Sequence, residues 1–356
     1  MGKTLSALGA GLLSMGLLAS PAMAELDQMN LKMVGTWGNL SNWKVNEGPF
    51  WNDTIPQASG GKITANAVPQ TDVGIKGFEV MRMLKIGVFD VAHGVVGYIA
   101  GEDPIVEGVD LAGVIQNWDD AKASMDAYRP IVARQFEETY GAKLMALYPF
   151  PSQMLWCNAD VNSADDLAGK KVRVYTTSMG DLIEGLDATS VTIAFAEVVP
   201  ALEKKVVDCG ITGTMPAYQA KWWQVANHAY LLKVGYTATF AAINLNTWNG
   251  MSDETKAFFE EQYAAFEKSA WANNIAEDEM GIICNTGVGG KCTEGEAGGM
   301  KKVEPSAADD AKRKQILENV VLKRWAERCV AKGGEKCIDD WNATIGKIAG
   351  VTAPKP

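Results

Sequence analysis

The segment from Asp165 to Thr212 alternates strand and helix patterns, and few folds accommodate that alternation. It starts with an acidic turn and continues into the strand pattern Val172–Tyr175, in which Arg173 lies on the face opposite the valines. A helix (179–185), a strand (191–195), a helix (196–204) and a third apolar run (206–209) follow. This order predicts a parallel sheet with a ligand crevice at the carboxyl ends of its strands.

Arg173 has two interpretations from this pattern. It is either a solvated strand arginine beside a carboxylate, or a fixed guanidinium whose two-pronged donor geometry binds an anion. Composition alone favours the first interpretation, whereas the motifs around the residue favour the second.

Those motifs extend over the whole segment. Residues 166–174 follow the pattern Asp-Leu-x-Gly-x-Lys-x-Arg-Val, and an apolar strand then ends at Phe195. Glu197 and Val198 open a helix that leads to Val-Val-Asp at 206–208. The pattern resembles the periplasmic solute-binding subunit of tripartite ATP-independent periplasmic (TRAP) transporters, of the dicarboxylate-binding-protein type. The resemblance implies that Arg173 clamps a substrate carboxylate.

The resemblance also implies an α/β, two-domain periplasmic-binding-protein fold, with a ligand cleft between the domains and a long domain-spanning helix. We expect a first domain at 25–150 plus about 236–250 and a second at 151–235, since about 330 residues exceed one compact core. Residues 251–356 would hold the long helix, a Cys-flanked insertion and C-terminal helices that pack on both domains. The last helix is expected at 307–328, before a loop that begins at Cys329 and a polar tail.

An internal similarity supports two halves wound alike, without reference to any family. Glu79–Val91 and Glu197–Cys209 share a glutamate, a leucine, the lysine spacing and a Val-x-Asp ending. Each pattern indicates a helix that leads into a strand. Two such halves that face each other would form a cleft, which is the usual place for a small ligand.

The N-terminus and the net charge indicate where the protein works. Residues 1–24 combine Lys3, a short apolar run and Ala22-Met23-Ala24, which is typical of a secretory signal peptide. We therefore expect a periplasmic protein. The formal charge of -10 argues against nucleic acid as a partner and makes a cationic pocket the exception that attracts an anion.

The six cysteines suggest disulfides in an exported protein. Cys284 and Cys292 flank one short segment, Cys329 and Cys337 flank another of equal length, and closing both locally leaves Cys157 with Cys209. A zinc site is the alternative, but the chain has no Cys-x-x-Cys pair and only two histidines. We expect neither a metal nor a cofactor.

Catalytic motifs are not recognisable in this sequence. Ser178 lacks the leading glycine of a nucleophile elbow, and neither His93 nor His228 has a recognisable nucleophile nearby. A binding protein is therefore expected rather than an enzyme. A periplasmic sensory module and, less favoured, a periplasmic hydrolase are the alternatives.

Seven side chains are predicted to bind the ligand. Trp37 ends the first strand, where the resemblance places one wall of the cleft. Gln153 stands where sugar-acid binders of the family carry a second arginine, and Thr212 stands where they carry an asparagine. The predicted ligand-binding residues are Arg173, Gln153, Thr212, Phe195, Trp37, Gln70 and Tyr236.

This set indicates the charge of the ligand. With one fixed cation, a second ligand carboxylate would be buried without a countercharge, which costs several kcal/mol. The sequence thus predicts a compact monocarboxylate or sulfonate, and an amine held over aromatic faces is the alternative. A dicarboxylate would require another cation, such as Arg129 or Lys221, to reach the cleft. The protein is expected to be monomeric and to deliver its ligand to TRAP membrane permease subunits.

Overall fold

The computed structural model describes Gly2 and residues 25–356. The predicted signal peptide at 1–24 therefore lies outside the described residues, apart from Gly2. The described part forms one mixed sheet of nine strands in the order β2-β1-β3-β8-β4-β7-β5-β6, with β9 beside β8. The strands are β1 Met29–Gly35, β2 Ile63–Pro69, β3 Val91–Val95, β4 Ala142–Cys157, β5 Lys171–Val174, β6 Thr189–Thr192, β7 Cys209–Gly213, β8 His228–Asn244 and β9 Lys301–Val303.

Helices cover both faces of this sheet. A helical run at 42–54, mostly of π type, precedes α1. The α-helices are α1 Ile55–Ala58, α2 Val80–Lys85, α3 Pro104–Glu107, α4 Trp118–Tyr140, α5 Thr177–Gly185, α6 Val198–Glu203, α7 Thr214–Gln219, α8 Leu245–Asn249, α9 Asp253–Thr286, α10 Ala307–Ile316, α11 Leu322–Gly333, α12 Lys336–Trp341 and α13 Lys347–Ala349. None of these helices combines the length and the apolar character that crossing a membrane requires, as far as the described residues go.

The long strands β4 and β8 pair antiparallel in the middle of the sheet and join two three-strand units. We call β1–β3, with the segments that follow their carboxyl ends, the first half, and β5–β7 with theirs the second half. In each half the first strand lies between the other two, and all three run parallel. This arrangement confirms the expected two-domain α/β fold.

The domain boundaries at 150 and 235 stay a prediction. They coincide with irregular pairing, because the register of β4 against β8 shifts between Pro149 and Ser152. On β8, Gly235 has a φ of +144°, a backbone conformation that other residues avoid. Both features are what a bend between two halves would need.

The internal similarity has a structural counterpart. Helix α2 leads into β3 in the first half, and α6 leads into β7 in the second. An aspartate precedes each strand and makes the same contact: Asp90 Oδ2 accepts a hydrogen bond from the Lys32 N–H at 2.8 Å. In the second half, Asp208 Oδ2 accepts from the Lys171 N–H at 2.8 Å. The two halves are therefore built from one repeated unit.

The third strand of the second half starts later than the sequence predicted. The apolar run at 206–209 was expected to form it, but β7 begins only at Cys209. Lys205 has a φ of +56°, which makes a left-handed turn after α6 and delays the strand. As a result, Val206 is 50% exposed rather than part of the core.

The long helix α9 begins where the sequence placed it. The Ser252 hydroxyl accepts a hydrogen bond from the Thr255 N–H at 3.2 Å, which is an N-cap contact. Along its length α9 contacts the helical run at 42–47 in the first half and α7 in the second. The expected helix that spans both halves is therefore present.

All three predicted disulfides are formed: Cys157–Cys209, Cys284–Cys292 and Cys329–Cys337. The first joins β4 to β7. After the second, the Cys-flanked insertion returns to the sheet as β9, which pairs with the start of β8.

The predicted loop and polar tail at the C-terminus are wrong. Helix α11 continues through Cys329 to Gly333, and α12 holds Cys337, so the disulfide closes a tight turn between two helices. Trp341 is fully buried, and its indole N–H donates to the Gly108 carbonyl at 2.8 Å. Burial of this large side chain holds the C-terminal segment on the protein.

Candidate functional site

A small pocket, with a cavity volume of about 30 Å³, lies between the two halves. It is formed where β1 and β3 of one half and β5 and β7 of the other end, which is where parallel sheets bind ligands. The central strands β4 and β8 supply its floor. The lining residues are Trp37, Leu40, Val95, Tyr98, Phe150, Gln153, Arg173, Tyr175, Phe195, Thr212, Gly213, Pro216 and Thr237.

Arg173 is the charged residue of this pocket. It is 1% exposed, and its guanidinium reaches across the ends of the neighbouring strands. Its Nε donates to the Ile193 carbonyl at 2.8 Å and its Nη1 to the Ile211 carbonyl at 2.7 Å. The remaining nitrogen, Nη2, is buried without a hydrogen-bond partner among the described residues. One edge of the guanidinium is thus fixed by the protein, and the Nη2 group is left to donate to a ligand.

The charge on Arg173 is not compensated by a carboxylate of the described chain. Burial lowers its pKa, and the groups that oppose this shift are the hydroxyls of Tyr98 and Tyr175 rather than an acidic side chain. An arginine nevertheless keeps its proton in proteins. A buried cation without a partner is costly, so an anion that enters the pocket gains the attraction that the protein does not satisfy.

Aromatic rings form the walls around the guanidinium. The Trp37 ring of the first half lies 5.0 Å from the Phe195 ring of the second half, measured between centroids. Trp222 stacks behind Phe195 at 5.8 Å. It fits there because Gly210 on β7 has no side chain; a Cβ at that position would lie 2.8 Å from the Trp222 ring. These walls favour a ligand with an apolar or flat body.

The floor of the pocket is neutral and polar. The Tyr175 hydroxyl donates to Gln153 Oε1 at 2.9 Å and also contacts the Thr237 hydroxyl. Gln153 Nε2 donates to the Pro151 carbonyl at 2.8 Å. Most of the hydrogen-bonding capacity of Gln153 is therefore used within the protein, which fixes the orientation of its amide towards the pocket.

Comparison with known proteins places this geometry in a family. The family described as bacterial extracellular solute-binding protein, family 7, matches residues 34–328. The chain belongs to this family.

Proteins similar to this chain include several receptors for organic acids. The C4-dicarboxylate-binding periplasmic protein DctP of Rhodobacter capsulatus is 26% identical over 143 residues, which cover 40% of this chain and 42% of that protein. The aligned region thus spans less than half the length of this relative.

Solved structures cover nearly the whole fold. DctP7 of Bordetella pertussis, an extracytoplasmic solute receptor that binds pyroglutamic acid, has a TM-score of 0.78 at 18% identity, covering 88% of this chain and 99% of that chain. A TRAP periplasmic solute-binding protein from Desulfovibrio salexigens with bound orotic acid has a TM-score of 0.79 at 14% identity, covering 90% and 99%. At these identities the likeness establishes the fold. The family is extracytoplasmic and consists of solute-binding proteins, not enzymes.

Five of the seven predicted ligand-binding residues line the pocket: Arg173, Gln153, Thr212, Phe195 and Trp37. Tyr236 does not, because successive residues of a strand point to opposite faces and its neighbour Thr237 takes the pocket side. The Tyr236 ring instead packs on Trp118, with centroids 4.3 Å apart.

Gln70 also lies outside the lining. Its backbone N–H is held by the carbonyls of Gly35 and Thr36, each at 3.1 Å, so it follows the end of β1. Its side chain is buried and its Oε1 has no partner among the described residues. Neither Arg129 nor Lys221 lines the pocket. Arg129 pairs with Glu267 in a separate groove.

Sequence reasoning missed Tyr98, Tyr175 and Thr237 in the lining. Tyr175 could have been found, since it stands two residues after Arg173 and strand alternation keeps both on one face. Tyr98 carries no such signal because it lies in a short helical segment after β3.

Two carboxylates outside the lining, the buried Glu47 and the half-buried Asp278, hold the backbone next to the pocket. Glu47 accepts hydrogen bonds from the Thr36 N–H at 2.7 Å and from its hydroxyl at 2.9 Å, which fixes the backbone just before Trp37. Burial raises the pKa of Glu47 to about 7. On α9, Asp278 accepts from the Ser152 N–H at 2.9 Å and from the Thr214 hydroxyl at 3.1 Å. These residues adjoin Gln153 and Gly213 of the pocket.

The described residues contain no group of three or more His, Cys, Asp or Glu side chains placed to hold a metal ion. The donors of the pocket are a guanidinium, an amide and hydroxyls. Such a set suits an organic anion rather than a metal.

Proposed function

We propose that this protein is exported to the periplasm, captures a compact organic monoanion in the pocket around Arg173, and delivers it to TRAP membrane subunits. The observation that carries the proposal is the buried guanidinium, which is held by two carbonyls and has one unpartnered nitrogen. A carboxylate or sulfonate would complete its hydrogen bonds and neutralise its charge.

The pocket favours one negative charge over two. Arg173 is the one charged side chain among the lining residues. A second carboxylate would lie against aromatic rings or neutral hydroxyls, and burying it unpaired costs several kcal/mol. For this reason we do not extend the C4-dicarboxylate of the Rhodobacter relative to this chain. Pyroglutamate and orotate, found in structural neighbours, each carry a single carboxylate and a small ring, which is the kind of ligand we propose.

Small amines are a weaker alternative. The faces of Trp37 and Phe195 could attract a cation. The Arg173 guanidinium would repel it at short range, and no carboxylate lines the pocket to compensate.

The ligand would act by holding the halves together. Trp37 and Tyr98 come from the first half, whereas Arg173 and Phe195 come from the second. A ligand that contacts both groups binds the closed form more tightly than the open form and shifts the population towards closure. The closed shape is then what the membrane subunits recognise.

The experiment is a thermal-shift panel on the mature protein. It includes pyroglutamate, orotate, alkanoates, alkanesulfonates, succinate, malate, galacturonate and small amines. We expect monocarboxylates or sulfonates to raise the melting temperature, because a ligand that binds only the folded state stabilises it. A large shift confined to succinate, malate or amines would contradict the proposal.

The matched pair of variants is Arg173→Met and Arg313→Met. Arg313 is also a buried arginine that donates to a backbone carbonyl, but it lies on α10 outside the pocket. We expect Arg173→Met to abolish the shift, since loss of one member of a buried charge pair costs about 2 to 5 kcal/mol. Arg313→Met should keep it. Binding within threefold of the wild type in Arg173→Met would refute the role of the guanidinium.

Uptake of the labelled ligand by cells that carry the TRAP membrane subunits, and its loss without this protein, separates transport from sensing.

A further inference from the structure

Two cavities meet at a pair of tyrosines. The inner one is the pocket around Arg173, and the other is an outer groove with a volume of about 490 Å³. The groove also runs between the halves, with Phe78 on one side and Thr176 and Thr192 on the other. Tyr98 and Tyr175 line both cavities. These two rings are therefore the partition between the pocket and the groove.

The two rings come from opposite halves and touch edge to face. Their centroids are 5.6 Å apart with an interplanar angle of 75°. Both residues are less than a tenth exposed, at 8% for Tyr98 and 6% for Tyr175. The partition is therefore complete only when the halves are together.

Tyr175 is the fixed member of the pair. Its hydroxyl is bonded to Gln153 Oε1 and to the Thr237 hydroxyl. Its ring also supports the guanidinium, whose carbon lies 4.8 Å from the ring centroid. Removing Tyr175 would disturb the anion site itself.

Tyr98 packs between the two halves, and its hydroxyl lies near the Arg173 guanidinium and the Phe195 backbone. Its ring lies directly against Gly77, where a Cβ would come within 2.0 Å of the ring. Phe78 covers it, with centroids 4.3 Å apart. Shortening Tyr98 would leave the hydrogen-bonded floor of the pocket in place and open a passage to the groove.

The tyrosine pair lies beside the Arg173 guanidinium. The Tyr175 ring contacts the guanidinium, and the Tyr98 hydroxyl is close enough to affect the pKa of Arg173. An anion bound to Arg173 would therefore present its carboxylate end to the tyrosine pair. Substituents on the carbon next to the carboxylate would meet Tyr98 first.

We propose that Tyr98 is a specificity-determining residue that excludes anions with a bulky group next to the carboxylate. The inference rests on the proposed binding of a monoanion at Arg173. It adds that the shape of the pocket near the carboxylate is set by one side chain from the half that contributes no charged residue to the lining.

The test compares two ligand series on the mature protein by calorimetry. The first grows at the far end: propanoate, butanoate, pentanoate and hexanoate. The second grows beside the carboxylate: propanoate, 2-methylpropanoate, 2-ethylbutanoate and 2-phenylpropanoate. In the wild type we expect 2-phenylpropanoate to bind about tenfold or more weaker than propanoate, since a closed pocket rejects added volume steeply.

In Tyr98→Ala the ratio of the affinity for propanoate to that for 2-phenylpropanoate should fall to about threefold or less, because the phenyl group can enter the groove. Tyr98→Leu, which keeps more of the packing, should give an intermediate ratio and serves if the alanine variant does not fold. Tyr98→Phe keeps the ring and should retain the wild-type ratio. Thr192→Ala, which alters the groove alone, should also leave it unchanged.

The outcomes separate the two proposals. If the ratio in Tyr98→Ala and Tyr98→Leu equals that of the wild type while Arg173→Met binds nothing, Tyr98 is not the selecting residue and the anion site stands. If Tyr98→Ala improves the binding of the longer unbranched alkanoates as much as that of the 2-substituted ones, Tyr98 does not select at the carboxylate end of the ligand. If no alkanoate or alkanesulfonate binds the wild type, the monoanion proposal fails and this inference with it.

Discussion

Val34 and Arg173 occupy the same place in the two halves. On β1, Val34 pairs with Ala92 of β3, which follows the aspartate-bearing turn of the first half. On β5, Arg173 pairs with Gly210 of β7 in the equivalent register. Both side chains are buried, at 0% and 1% exposure. The same position of the repeated unit is thus a buried valine in the first half and a buried arginine in the second.

The two halves therefore contribute different kinds of side chain to the pocket. The first half contributes apolar and aromatic side chains to the lining: Trp37, Leu40, Val95 and Tyr98. The second half contributes the charge at Arg173 and a hydroxyl at Thr212. We infer that the second half binds the anionic group and that the first half closes over it. The predictions below test this division, starting from the largest expected effect.

Closure depends on a close approach between Gly97 and Thr176. A Cβ on Gly97 would lie 2.5 Å from the Thr176 methyl carbon of the other half. We expect Gly97→Ala to hold the halves apart and to weaken ligand binding about tenfold or more, as for overpacking of a tight contact. Calorimetry gives the affinity, and small-angle scattering reports whether the ligand still compacts the protein.

Two further variants make this a sharp test. Gly101 also lines the outer groove, but a Cβ there meets nothing within 4 Å, so Gly101→Ala should bind like the wild type. Thr176→Ser removes the methyl group and keeps the hydroxyl that caps α5, so adding it to Gly97→Ala should restore much of the affinity. Equal affinities for the two glycine variants would show that the Gly97 contact does not limit closure.

A half-buried glutamate where the two halves meet, Glu277, makes stability depend on pH. The Ser41 hydroxyl of the first half donates to Glu277 on α9 at 2.7 Å, and the Ser41 N–H donates to Gln219 of the second half at 2.9 Å. Burial raises the pKa of Glu277 to about 7 from its ordinary value of 4.5. Between these values the folded state holds a proton that the unfolded state has released.

The sign of the effect follows from that proton. The contribution of Glu277 to stability is full below about pH 4.5 and is lost as the pH rises through about 7. Chemical unfolding of Glu277→Gln should therefore show a smaller loss of stability between pH 5 and 8 than the wild type, by roughly 1 to 3 kcal/mol. Glu279→Gln, an exposed neighbour on the same helix, is the control. Identical pH profiles for the wild type and both variants would rule out this role for Glu277.

The sequence predicted the second half better than the first, for a physical reason. Arg173 and Thr212 lie on strands and Phe195 follows one in a short βαβ pattern, so their periodicity and order place them at one sheet edge. Two other lining residues, Thr237 and Tyr98, were harder to assign. Tyr236 was chosen over Thr237 by one position, which on a strand reverses the face. Tyr98 depends on packing against Gly77, which is close in space and not in any repeating pattern.

The smallest expected effect concerns an ion pair across the mouth of the cleft. Lys76 Nζ of the first half lies 2.7 Å from Glu197 Oε1 of the second half. Both side chains are about half exposed, at 57% and 50%, and solvent screens the attraction of exposed pairs strongly. Lys76→Ala and Glu197→Ala should each weaken ligand binding by about fivefold at most, and the double variant no further than either alone. The reversed pair Lys76→Glu with Glu197→Lys should recover part of the affinity, and added salt should narrow the difference from the wild type. Additive losses of affinity in the double variant would mean that Lys76 and Glu197 act separately. Closure would then depend on the Gly97 contact and on the ligand, and the ion pair would have no part in it.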